Sequence, residues 1–271
     1  MYIIHKKSKV AYQQTGEGET LVLLHGFCED STLWSNFTPV LSKKYHVLTI
    51  DLSGFGKSDL LGEHSMDAMA DAVFAVLCHL SIKTCVMIGH SMGGYVGLCF
   101  AENYPDSLSG LGLFHSHPFA DSEQKKGDRR RVNEFIKQHG IAPFAGHFVF
   151  NLFAKKFVTK RRAFIDRLIH KTSMHHSDAI IAASNAMIKR KDKSDVLTKL
   201  ACPALFIVGK QDNSISIDYS LRQLSLPQIS SIHVFEEVGH MGMYEIPEKT
   251  LEVVEEFMDF CFSFSLIQTK K

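Results

Sequence analysis

Apolar residues along this chain fall into short continuous runs that alternate with amphipathic stretches. The runs TLVLLHG (20–26), YHVLTIDL (45–52), TCVMIG (84–89), LSGLGLFHS (108–116), PALFIVG (203–209) and SSIHVFEEV (230–238) have the length of strands. They lack the period-two alternation of a half-exposed sheet, so they predict strands covered on both faces. Between them, SMDAMADAVFAVLCHL (65–80) and GGYVGLCFAENY (93–104) carry helical periodicity, the second stopping at Tyr104-Pro105, and EKTLEVVEEFMDFCF (248–262) closes the chain with another. A further helix is expected over about 31–44, and two short antiparallel strands over about 2–6 and 9–14. Strand and helix in alternation predict an α/β fold, a mostly parallel twisted sheet flanked by helices.

Residues 117–200 break that alternation, being far longer than the dozen or so residues that a crossover needs. Helical patterns occur in it at about 121–138 ending at Gly140, 144–153, 160–173 and 177–191, with Thr159 and Ser177 as expected N-caps. The domain expectation is therefore a core made of 1–116 and 201–271, with 117–200 inserted as a helical cap over the strand ends.

The strand TCVMIG runs into Gly89-His90-Ser91-Met92-Gly93 and then into a helix. A G-x-S-x-G in that setting places a serine on a sharp turn where neighbouring backbones approach closely. Ser91 is the expected nucleophile, and the Met92 N–H, on the same turn, would face a developing oxyanion. A base and an orienting acid should follow in the order serine, acid, histidine. Asp212 follows the strand PALFIVG, and His240 follows SSIHVFEEV. A carboxylate fixes the imidazole tautomer, and the imidazole moves the serine proton. Asp218 is the rival acid, but it falls inside the next helix.

With these motifs in place, the chain resembles the α/β-hydrolase superfamily over nearly all of its length outside the cap. The segments carrying the likeness are LVLLHGF (21–27), DLSGFGKSD (51–59), GHSMGG (89–94), LFIVGKQD (205–212) and VGHMGMYEIPE (238–248). The resemblance implies Ser91, Asp212 and His240 as nucleophile, acid and base. It puts the second oxyanion N–H on Phe27 and makes His25, Gly26, Asp51, Gly54, Gly56 and Ser58 scaffolding of the site. A serine in the elbow departs from the aspartate of dehalogenases and epoxide hydrolases. His90 stands where ring-cleavage carbon–carbon hydrolases carry Asn, Tyr95 where the menaquinone-pathway lyases carry Arg, and Met92 where proline iminopeptidases carry Trp. The expected activity is hydrolysis of small-molecule carboxylic esters or thioesters through an acyl-enzyme. Carbon–carbon hydrolysis, lyase or acyl-transfer chemistry, and a non-turnover ligand receptor, are the alternatives on the same fold. Trp34, Phe119, Phe144, Phe148 and Met241 are the expected pocket residues.

Composition narrows partners more than chemistry. Net charge is +1, but residues 117–195 carry +9 and the rest −8. That asymmetry predicts attraction between cap and core, and an anionic substrate or an acidic acyl carrier meeting Lys125, Lys126, Arg129, Arg130 and Arg131. Nucleic acid is not an expected partner. Neither a long apolar run nor the pattern of a secretory leader occurs, so no membrane span and a cytoplasmic setting are expected. Six cysteines without CxxC spacing read as mostly buried thiols, and the His115/His117 and His175/His176 pairs as packing residues. No metal or cofactor is expected.

Overall fold

The computed structural model describes the backbone of residues 1–268 and the side chains of residues 1–264. Its sheet contains β1 (Tyr2–His5), β2 (Ser8–Thr15), β3 (Thr20–Leu24), β4 (His46–Ile50), β5 (Cys85–His90), β6 (Leu108–Phe114), β7 (Ala204–Gly209) and β8 (Ser230–Phe235), ordered β1-β2-β4-β3-β5-β6-β7-β8. The β1–β2 and β2–β4 pairings are antiparallel and those from β4 through β8 parallel.

The continuous apolar runs are explained by two cores, one on each face of the sheet. Successive strand side chains point to opposite faces. Leu21 and Leu23 of β3 thus join Trp34, Phe37, Val254 and Phe257 in one core, while Val22 and Leu24 join Val73, Val96 and Phe100 in the other. The helices Met66–His79 and Met92–Asn103 cover the second face, and Pro247–Gln268 covers the first.

Parallel strands all end on one edge, so β3, β5, β6, β7 and β8 deliver the segments after them to the same side of the sheet. Strand order reverses beside β3, where β4 lies on one side and β5 on the other. Ligands of open α/β sheets bind at such a switch point.

Between β6 and β7 the chain forms the helices Glu123–His139, Ile141–Asn151, Lys155–Lys160, Arg162–Ser173, Ser177–Lys189 and Ser194–Thr198. Gly140 ends the first with φ +77°. Several local expectations change. The pattern at 31–44 is only a 3-10 turn, Ser31–Trp34, and a single helical turn, Thr38–Leu41, which has Pro39 in its first turn. The pattern at 160–173 splits at Arg161. Thr159 caps nothing, because its hydroxyl donates back to the Lys155 carbonyl within its own helix (3.1 Å), and Ser177 is already helical, after His176.

Candidate active site

Ser91 sits between β5 and the helix Met92–Asn103 at φ +49°, ψ −114°, a conformation that L-residues avoid. The surroundings hold it there. A Cβ on Gly89 would collide with the backbone of Gly93, and one on Gly93 would stand 2.7 Å from the carbonyl oxygens of Leu24 and His25. Glycine at both positions therefore lets the elbow fold against its own helix and against the end of β3. The Ser91 N–H donates to the Phe114 carbonyl (3.0 Å) and its carbonyl accepts the Ser116 hydroxyl (2.7 Å).

Asp212 follows β7 and His240 follows β8, and the two meet with His240 Nδ1 2.6 Å from Asp212 Oδ2, each side chain 3% exposed. The N–H groups of Ser214 (2.7 Å) and Ile215 (2.9 Å) donate to the other carboxylate oxygen. Burial pushes the Asp212 carboxyl up, but the facing His240 with its hydrogen bond, the nearby His115 ring and the Ile215 N–H outweigh it and hold the group below the usual carboxylate range. Ser91 and His240 line one cavity, together with Phe27 and Phe148. The Phe27 and Met92 N–H groups donate to no protein acceptor among the described residues. A hydroxyl and an imidazole backed by a carboxylate thus share one cavity with Phe27, and the Met92 N–H lies on the same turn as Ser91.

A family model for the alpha/beta hydrolase fold matches residues 19–136. A thermophilic esterase from Thermogutta terrifontis, solved with malate bound, is 30% identical, superposes with a TM-score of 0.89 and matches over 94% of each chain. This chain belongs to the α/β-hydrolase superfamily. Proteins similar to it include esterases and other hydrolases. The pimeloyl-[acyl-carrier protein] methyl ester esterase of Aeromonas hydrophila is 28% identical over 92% of this chain and 99% of its own length. The 2-hydroxy-6-oxononadienedioate/2-hydroxy-6-oxononatrienedioate hydrolase of Escherichia coli is 27% identical over 93% and 92%.

In this α/β hydrolase several supporting residues escaped the sequence reading. Glu29 Oε2 accepts the Gly26 N–H (2.7 Å) and pairs with His90 Nδ1 (2.9 Å), while His90 Nε2 lies 2.9 Å from the His240 carbonyl oxygen. Both ring nitrogens of His90 thus face acceptors, which only the imidazolium can satisfy. Burial pushes the His90 pKa down, but the Glu29 carboxylate and both hydrogen bonds raise it above 6.5. Glu245 accepts the N–H groups of Gly239 (2.9 Å), Met241 (3.2 Å) and Ala154 (3.0 Å), which ties the His240 loop to the inserted helices. His115 accepts the Gly242 N–H at Nε2 (3.2 Å), so the proton of the neutral ring is on Nδ1, 3.8 Å from Asp212 Oδ2. Glu29, His90 and Glu245 lie in or beside the segments LVLLHGF, GHSMGG and VGHMGMYEIPE, but nothing local in the sequence reveals their distant partners.

The scaffolding expectations have a concrete basis. The Leu52 N–H donates to His25 Nε2 (2.8 Å), leaving His25 Nδ1 to donate to the Gly26 carbonyl (2.8 Å). Asp51 accepts the Ser31 (2.8 Å) and Lys57 (2.9 Å) N–H groups, and the Ser58 hydroxyl donates to the Asp51 carbonyl (2.6 Å). Asp218 is exposed in the first turn of the helix Ile217–Gln223, whereas the carboxylate on His240 Nδ1 is that of Asp212.

Of the five expected pocket residues, Phe148 lines the cavity with Ser91 and the other four do not. Trp34 is wholly buried against Phe37 and Phe114, beneath the sheet, because the turn Ser31–Trp34 aims it into the core. Phe119 packs on His117 and Tyr219 under the Arg222 guanidinium, and Phe144 stacks on Phe148. Met241 points away from His240 into the core beside Leu33 and Leu152. Sequence-adjacent placement beside a motif residue does not fix which way a side chain faces.

The basic cluster also divides. Lys126 pairs with Glu123 (2.8 Å) and Arg131 with Asp128, whereas Lys125 and Arg129 line the cavity that holds Ser91. Two ion pairs join the inserted helices to the rest of the chain, Lys171–Asp30 (2.7 Å) and Lys156–Glu237 (2.8 Å). Among the described residues no group of three or more His, Cys, Asp or Glu is placed to hold a metal, and no helix is long and apolar enough to cross a membrane. Cys28, Cys85 and Cys99 are buried free thiols.

Proposed function

We propose that this protein hydrolyses carboxylic esters or thioesters through a covalent acyl-enzyme, with Ser91 as nucleophile, His240 as general base and acid, and Asp212 as its orienting carboxylate. The observation that carries this reading is the Asp212–His240 contact of 2.6 Å opening into the same cavity as a serine held on a strained elbow. Ser91 Oγ attacks the acyl carbon while His240 takes its proton, the carbonyl oxygen becomes an oxyanion facing the Phe27 and Met92 N–H groups, and the protonated imidazole gives the proton to the leaving alcohol or thiol. Water, deprotonated by His240, then cleaves the acyl-enzyme and restores Ser91. The helices of 117–200 act as the cap that roofs this cavity, since Phe148, Leu152 and Met187 line it from above. Buried free thiols fit a reducing cytoplasmic setting.

A carrier-bound acyl group is the second reading, favoured by the similarity to an esterase named for such a substrate and by the exposed Arg130. Both readings share the serine chemistry, which one experiment tests. A fluorophosphonate probe should label Ser91 alone, and Ser91→Ala or His240→Ala should lower kcat by about 10⁶, Asp212→Ala by about 10⁴. Undiminished ester turnover by Ser91→Ala would sink the mechanism, and a larger loss for Asp218→Ala than for Asp212→Ala would reassign the acid.

A further inference from the structure

The cavity that holds Ser91 encloses about 580 Å³ of atom-free space, its mouth included, and one wall of it is cationic beyond what the protein neutralises. The carboxylate of Asp121, 4% exposed, accepts Arg129 Nε at 2.7 Å and lies 2.9 Å from Arg190 Nη1. The forked end of Arg190 is used: it donates to the Met187 and Phe119 carbonyls (both 3.0 Å) and lies 4.0 Å over the Tyr95 ring, while Nε is buried without a hydrogen-bond partner among the described residues. The forked end of Arg129 is open. It is 15% exposed, it spends Nε on Asp121, and its two terminal nitrogens have no partner among the described residues. Lys125, one helical turn earlier, lines the same cavity with no carboxylate within 4.0 Å of its ammonium group among the described residues. The residue is exposed overall, yet burial of its charged end, followed by the nearby Arg129 charge, lowers its pKa.

Lys125, Arg129 and Arg190 therefore have one carboxylate, Asp121, among them, and Lys125 and Arg129 line the cavity. The other carboxylate on this cavity, Glu29, is matched by His90. Partly desolvated cations without counter-charge are costly unless a ligand completes them. An Arg fork with both terminal nitrogens open, beside a Lys, is the arrangement that accepts a planar carboxylate bidentately.

We infer that the substrate carries, besides its scissile ester or thioester, a carboxylate held by the terminal nitrogens of Arg129 and by Lys125 Nζ while the carbonyl lies over Ser91. This rests on the hydrolase reading above and narrows it to carboxylate-bearing esters. Selection belongs to the cavity wall, so it operates on small molecules without a docking protein.

The test compares kcat/KM within matched pairs. Monomethyl adipate against methyl hexanoate places the carboxylate on the acyl side; 4-butanoyloxybutanoate against pentyl butanoate places it on the leaving side. In at least one pair the anionic ester should exceed its neutral partner by about ten-fold or more, the effect of one charged hydrogen-bonding contact. Arg129→Gln and Lys125→Gln should each reduce that ratio about ten-fold, Lys125→Glu should invert it, and Lys137→Gln, on the same helix but paired with Glu134, should leave it unchanged. Lys125→Gln breaks no ion pair and so remains informative if Arg129→Gln fails to fold. Turnover of all four esters with no anionic preference, or a preference indifferent to both Gln variants, overturns the carboxylate site and leaves the hydrolase reading standing. Calorimetry with the Ser91→Ala protein separates the reverse case: selective, Lys125-dependent binding of the anionic esters, with no turnover by the native protein, keeps the site and sinks the hydrolase reading.

Discussion

Ser91 and His90 are neighbours with opposite physical burdens. Ser91 stores backbone strain at φ +49°, and glycine alone adopts that conformation without a Cβ penalty. Ser91→Gly should accordingly be more stable than Ser91→Ala by about 1 kcal/mol, both being inactive. Equal melting temperatures would mean the elbow is not strained. His90 is 1% exposed and held as an imidazolium by Glu29, and its pKa in the folded protein lies above 6.5. A histidine raised in this way adds stability that is fully present below the unfolded value of about 6.5 and is lost as pH rises through the folded value. In Glu29→Gln, burial, the largest influence on His90, is opposed only by the His240 carbonyl and the weaker field of Asp212 and should carry its pKa below 6.5, which ring-nitrogen NMR would read directly. The same variant should flatten the alkaline loss of stability and lower kcat, since His90 holds the carbonyl of His240. A native His90 that titrates at or below 6.5 would refute the pairing.

At the level of elements, the segments after β8 and after the helix Ile141–Asn151 behave as one piece. The His240 N–H donates to the Leu152 carbonyl (2.7 Å), and a Cβ on Gly239 would stand 2.6 Å from the Ala154 nitrogen. Glu245 closes the joint by accepting three N–H groups, one from the inserted helices and two from the His240 loop. Glu245→Ala orphans those donors, each worth about 1–3 kcal/mol when buried without a partner. Melting temperature and kcat should fall together in Glu245→Ala, and Glu245→Gln, which keeps one acceptor oxygen, should recover part of both. Wild-type kcat in the Ala variant would show that the joint does not position His240. None of this was legible in the motif VGHMGMYEIPE, because the partners of Glu245 lie 91 residues upstream in one case and in its own loop in the others.

Across the whole molecule, the inserted helices reach the support of the His240 loop. Their removal would take away the Leu152 carbonyl and the Ala154 N–H that fix the His240 loop. A protein with 117–200 replaced by a short linker should therefore lose kcat even on the smallest activated esters, besides losing selectivity; unchanged kcat on those esters would place His240's support wholly in the core. Sequence alone determined the mostly parallel α/β sheet and placed Ser91, Asp212 and His240 each after a strand. Strand runs and glycine spacing are local properties, and parallel connectivity sends every strand end to one edge whatever the details. The elbow was readable for the same reason, since its strain and its glycines lie within five consecutive residues. Side-chain direction was not local. Whether Trp34 met substrate or core depended on a single 3-10 turn, and whether Lys125 and Arg129 faced solvent or Ser91 depended on how the helix Glu123–His139 lies across the sheet edge. Only tertiary packing brought Glu29 to His90, 61 residues away, and set Lys125 and Arg129 on the same cavity as Ser91, because such pairings are set by which distant surfaces are buried together.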